Sequence, residues 1–79
     1  MDDDLIFDDH ACGEMQRDSI TEDHVYTVVG DPDDEYERDD GRVRYERVLD
    51  DGRQIVVILE GQIVRTTWWN RRGSRRRRR

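Results

Sequence analysis

The chain is poor in the residues that carry the commonest structural chemistries. It has one cysteine, Cys12, which excludes an internal disulfide and a zinc knuckle built on thiolates. No apolar run approaches the roughly 20 residues of a membrane helix. The acidic start Met1-Asp2-Asp3-Asp4 is the reverse of a signal peptide's basic opening. Together these features predict a cytoplasmic protein with no membrane association. Only 33% of the 79 residues are hydrophobic while 43% are charged, so composition alone leaves disorder open. A chain this short makes one small domain with a thin stability margin and no deep substrate cavity.

What is abundant is charge, and it is split along the chain. The net charge is −6. The last ten residues hold seven arginines: Arg71, Arg72, Arg75, Arg76, Arg77, Arg78 and Arg79. The body before them carries the other seven arginines against all 20 acids, a net −13. The division is therefore a domain over 1–69 and an arginine-rich tail over 70–79. The tail is expected to be disordered, because like charges repel and nothing in it can pack. It is a candidate for salt-dependent attraction to phosphates, without base readout, since no aromatic is interleaved with the arginines.

The apolar residues are patterned, which argues for a fold. Asp8 is an N-cap for a helix that Asp18-Ser19 ends, with Ala11 and Met15 four apart on its inner side. Ile20, Thr21 and Val25 form a hydrophobic staple at the start of a second helix, with Val25, Val28 and Val29 on its apolar face. Gly30 and Pro32 close it. Both helices are short and need a surface to lean on.

That surface is predicted as four strands, over 34–38, 42–49, 53–59 and 62–69. Asp39-Asp40-Gly41 and Asp50-Asp51-Gly52 suit three-residue hairpin loops with glycine left-handed. They pair Arg38 with Arg42 and Leu49 with Arg53. A two-residue turn at Glu60-Gly61 pairs Leu59 with Gln62. The run Ile55 to Leu59 reads as a central strand buried on both faces. The helix-covered face then carries Val43, Tyr45, Leu49, Ile55, Val57, Leu59, Val64 and Trp68. The other carries Tyr36, Arg38, Arg42, Arg44, Glu46, Val48, Val56, Ile58, Ile63, Arg65, Thr67 and Trp69. The expected fold is α+β: two short N-terminal helices packed on a four-stranded antiparallel β-meander.

His10, Ala11, Glu14, Met15, Asp18, Ile20 and Thr21 make a pattern that resembles the start of domain of unknown function 4258, a small prokaryotic family. Its usual signature runs His-Ala, Arg-Met, Arg-Gly-Ile. A variant with Glu and Asp for the two arginines is the form this chain resembles, with Ser19 where glycine is common. The Asp-Gly-Arg turns, the apolar strand and the closing Ile63-Val64-Arg65-Thr66-Thr67-Trp68-Trp69 extend the likeness over about residues 7–69. The layout is similar to that of RelE-like and BrnT-like toxin ribonucleases. The resemblance implies a metal-independent endoribonuclease of a toxin–antitoxin system, with RNA as substrate and an antitoxin as partner. It implies no cofactor.

Metal-free RNA cleavage needs a base, an acid and cations around the phosphorane. His10 is the natural proton carrier, because histidine titrates near neutral pH. Glu14, one turn on, can orient it. Arg38, Arg42, Arg44 and Arg65 can grip phosphate, with Glu46 and Tyr36 among them as proton-handling or stacking groups. The candidate catalytic set is thus His10, Glu14, Arg44 and Glu46. The candidate nucleic-acid-binding set is Arg38, Arg42, Arg65 and the tail arginines. His10, Asp8, Asp9 and Glu14 match no strong metal-binding spacing, so no metal ligand is assigned. Two difficulties stand against the enzyme: the helices are expected to cover the sheet face opposite the arginines, and an acidic body repels RNA. The rival reading is a non-enzymatic protein-interaction or nucleic-acid-attracted module. Its exposed sheet face or Trp69 edge would meet a partner, or a second copy in a homodimer.

Overall fold

Asp8 caps the first helix as its position demands: its side chain accepts the Ala11 N–H at 2.9 Å. In the computed structural model, which describes residues 4–70, this helix is α1, Asp9–Asp18. It ends at Ser19, whose φ of 59° is left-handed and whose N–H reaches the Met15 carbonyl. Thr21 opens α2, Glu22–Gly30. Its hydroxyl accepts the His24 N–H at 3.1 Å, and His24 Nδ1 accepts the Thr21 N–H at 3.0 Å. This is a capping box with histidine in the place usually held by glutamate or glutamine. Ile20 and Val25 are both buried, as a staple requires.

The strands are β1 (Ile6–Phe7), β2 (Asp34–Glu37), β3 (Val43–Val48), β4 (Gln54–Glu60) and β5 (Ile63–Trp69). Among the described residues they form one mixed sheet in the order β1-β5-β4-β3-β2. The α+β class is as expected, but the sheet is not a four-stranded meander. β1 lies parallel to β5, with Ile6 opposite Ile63 and Phe7 opposite Val64. Two residues are too few to show strand alternation, so this element left no trace in the sequence pattern.

Both Asp-Asp-Gly loops adopt the predicted register. Arg38 N–H donates to the Arg42 carbonyl, and Leu49 N–H to that of Arg53, each at 2.8 Å. Gly41 and Gly52 sit at φ 87° and 89°, where a side chain would be strained. The middle aspartates close each loop: Asp40 accepts the Arg42 N–H and Asp51 the Arg53 N–H. Hydrogen bonds from Arg53, side chain first and backbone second, hold the Asp51 carboxyl below its ordinary range.

The last turn differs from the expectation. Glu60 pairs with Ile63, so the turn is Gly61-Gln62. Leu59 then pairs with Val64 but Ile58 with Thr66, which leaves Arg65 as the extra residue of a β-bulge. The bulge reverses the facing of everything after it. Thr67 and Trp69 lie on the helix side and Trp68 on the far side, the opposite of the sequence-based assignment.

The core lies between helices and sheet. Ala11, Met15, Ile20, Val25 and Val28 meet Ile55, Val57, Leu59 and Val64, with Phe7, Tyr45 and Trp69 packed around them. β4 is buried on both faces, as its apolar run predicts: Val56 is 0% and Ile58 3% exposed on the side without helices.

Candidate functional site

The first candidate cluster is built along β5. Beyond Val64 this strand has no neighbour on its outer side among the described residues, and α1 runs beside it. Glu14 projects from α1 onto that open edge. Its Oε1 accepts the Thr67 N–H at 3.2 Å and the Thr66 hydroxyl at 2.5 Å. Its Oε2 lies 3.3 Å from His10 Nε2. Glu14 is largely buried, while His10 is 68% exposed. The sequence therefore placed these two together correctly. It missed that Glu14 also satisfies one backbone N–H and one hydroxyl of the sheet.

Arg65 extends this edge. It lies 3.4 Å from Asp8 and 3.6 Å from Glu60, and Glu60 in turn lies 3.4 Å from Arg42. A run of alternating charges, Asp8–Arg65–Glu60–Arg42, thus crosses from the N-cap of α1 to the residue before β3.

The second cluster lies on the far face. Arg44 Nε donates to Glu46 Oε2 at 2.6 Å, and the Arg44 guanidinium sits 5.5 Å from the Trp68 ring centre. In register, Arg44 and Glu46 flank Ile58 and Val56 on one side, and Thr66 and Trp68 flank them on the other. Arg44 therefore arches over β4, and its stem covers the aliphatic residues that no helix shields. Glu46 is 9% exposed. This is the geometry of a packed lid with an internal ion pair.

The four candidate catalytic residues do not converge. His10 and Glu14 belong to the β5 edge, while Arg44 and Glu46 lie on β3, two strand spacings or roughly 10 Å away. Tyr36 is one strand further, on the opposite edge, and exposed.

The arginines are also committed. Arg38 is 3.8 Å from Asp40, Arg47 3.1 Å from Asp31, Arg53 2.7 Å from Asp51 and Arg17 4.0 Å from Asp18. With Arg42, Arg44 and Arg65, all seven arginines of the described residues lie within ion-pair distance of a carboxylate. The tail arginines from Arg71 onward lie outside the described residues.

Other side chains have structural uses the sequence did not disclose. His24 is half-buried, closes the cap of α2 and meets the Trp69 ring edge-on at 5.4 Å. The spacing Thr21-x-x-His24 was the available signal. Trp69 is half-buried: its Nε1 donates to the Asp18 carbonyl at 2.8 Å, and the Arg53 guanidinium stacks 4.0 Å from its ring. Burial, followed by the Glu35 carboxylate across from it, raises the Tyr45 hydroxyl above its ordinary 10.0.

Among the described residues no three His, Cys, Asp or Glu side chains gather as a metal site. Nor is any helix there long and apolar enough to cross a membrane. No family model matches the chain, and no curated protein or solved structure matches it. The likeness to domain of unknown function 4258 rests on its motif residues alone.

Proposed function

We propose that the folded body is a non-enzymatic interaction module that offers an acidic surface to a basic protein segment. One observation carries this reading: every arginine of the body is engaged by a carboxylate, yet many carboxylates remain. Phosphate binding and phosphorane stabilisation draw on cations, and each arginine of the described residues has a carboxylate within 4.0 Å that offsets its charge. Asp33, Asp34, Glu35, Glu37 and Asp50 meet no arginine there. Four of these five lie on or next to β2, an edge strand whose residues are all exposed. An extended basic segment can add to such an edge through main-chain hydrogen bonds and opposite charges.

The test is anisotropy of a labelled arginine-rich peptide and of a labelled RNA, each titrated with protein stopped after Asn70. Every described element ends by Trp69, so this truncation keeps all the packing described above. Peptide binding that weakens with salt and in Glu35→Gln/Glu37→Gln supports the reading. RNA binding in place of peptide binding overturns it.

A ribonuclease centred on His10 is the second reading, favoured by one observation. The His10–Glu14–Thr66 run places a proton carrier, a carboxylate and a hydroxyl in sequence on an accessible edge beside Arg65. RNA cleavage lost in His10→Ala, with an unchanged circular dichroism spectrum, would support it. A wild-type chain that cleaves no RNA would end it. Arg44→Ala is a poor probe, because it uncovers Val56 and Ile58 and strands the Glu46 carboxylate.

A further inference from the structure

We infer that this chain's own segment 71–79 docks in cis on the acidic surface, crossing the end of the sheet from Asn70 to the β2 edge. The inference rests on the acidic-surface reading above and adds its occupant.

The exit point is well defined. Asn70 N–H donates to the Gln54 carbonyl at 2.8 Å, so the chain leaves β5 at the start of β4. The antiparallel register brings three other pieces to the same end of the sheet: the end of β3, the Asp50-Asp51-Gly52 loop and the start of β2. Asp50, Asp33 and Asp34 therefore lie on the path from Asn70 to the outer edge of β2.

A second feature at the exit asks for a donor. A shallow cavity of about 330 Å³ opens there, lined by Gly52, Arg53, Gln54, Trp69 and Asn70. Gln54 is 8% exposed, and its Oε1 is buried without a hydrogen-bond partner. A buried amide oxygen without a donor is rare and costly in folded proteins. The next residue in the chain is Arg71, a guanidinium with five N–H donors.

Reach and charge agree. From β5 to β2 is three strand spacings, about 15 Å. Nine extended residues span up to about 30 Å. Enough chain remains after the crossing to run along the four residues of β2. Seven positive charges then face five carboxylates that no described arginine neutralises. Each exposed pair is weak and screened by salt. Tethering turns their sum into an intramolecular equilibrium at an effective concentration in the millimolar range.

The experiment adds the labelled peptide Arg-Arg-Gly-Ser-Arg-Arg-Arg-Arg-Arg in trans to the full chain and to the chain stopped after Asn70. The truncated chain should bind it, and the full chain roughly tenfold more weakly, because its own tail occupies the surface. The difference should shrink in high salt and in Asp34→Asn/Asp50→Asn. Truncation should also shift the side-chain amide of Gln54 in NMR spectra. A truncated chain that ignores the peptide overturns the acidic-surface reading itself. Equal binding by both chains overturns only the cis docking. A difference that grows with protein concentration assigns the occupant to a second copy's tail and likewise overturns it.

Discussion

The Glu14 carboxylate accepts the backbone N–H of Thr67, 53 residues further along the chain, at 3.2 Å. This contact closes the part of β5 that β1 does not cover, and it ties α1 to the sheet. Replacement by alanine leaves the Thr67 N–H and the Thr66 hydroxyl without their acceptor. Glu14→Ala should cost about 1–3 kcal/mol in a urea melt. Glu14→Gln keeps an acceptor oxygen and should retain most of that stability. If both variants matched the wild type, the edge-closing role would be wrong.

Arg65 is the extra residue of the β5 bulge, so its deletion should leave the facing of the rest of the strand unchanged. Arg65→Ala removes only partly exposed ion pairs to Asp8 and Glu60 and should cost about 0–1 kcal/mol. Deletion restores regular pairing with Ile58 still opposite Thr66, so Thr67 and Trp69 stay toward the helices. Trp69 keeps the Asp18 carbonyl and its place beside His24. The deletion variant should keep a cooperative thermal transition and native tryptophan fluorescence. A deletion variant that loses the transition, or whose tryptophan fluorescence is not native, would refute the account of the bulge.

Tyr45 makes stability pH-dependent on the alkaline side. Burial and the Glu35 carboxylate raise its hydroxyl above 10.0, so the fold favours the neutral phenol. That contribution is complete below about pH 10, where the unfolded tyrosine is also neutral. It is lost as pH rises through the folded value. Phenolate absorbance should give a Tyr45 midpoint above the ordinary 10.0. Glu35→Gln should lower the midpoint while keeping it above the ordinary value, since burial is the larger cause. A midpoint unmoved by Glu35→Gln would remove the cross-strand charge from the explanation.

Ser19 offers a stabilising change. It holds the left-handed position that ends α1, where an L residue is disfavoured by roughly 1–2 kcal/mol. Glycine carries no such penalty, though it loses more entropy on folding. Ser19→Gly should therefore gain about 0.5–1 kcal/mol, or a few degrees in Tm for a domain of this size. A lower melting temperature would show that the serine makes a compensating contact.

Features legible in the sequence were those closed within a few residues. The caps at Asp8 and Thr21, the staple of Ile20 and Val25, and the loops at Gly41 and Gly52 each depend on partners no more than five positions away. The candidate site was legible only in part. His10 and Glu14 are one helical turn apart, so their meeting followed from spacing. The distance between that pair and Arg44–Glu46 did not, because it depends on strand order.

The sequence by itself determined a two-helix α+β domain with a central buried strand and a charge divided between body and tail. Local hydrogen bonding, apolar periodicity and composition are sufficient for those. Only the tertiary structure decided that two residues at Ile6–Phe7 make a fifth strand and that Arg65 bulges. It alone showed that Glu14 closes a sheet edge and that every arginine of the body already has a carboxylate. These outcomes depend on groups up to 53 positions apart, whose meeting is set by packing rather than by spacing. A single extra residue in β5 reverses which tryptophan faces the core, because side chains alternate with a period of two.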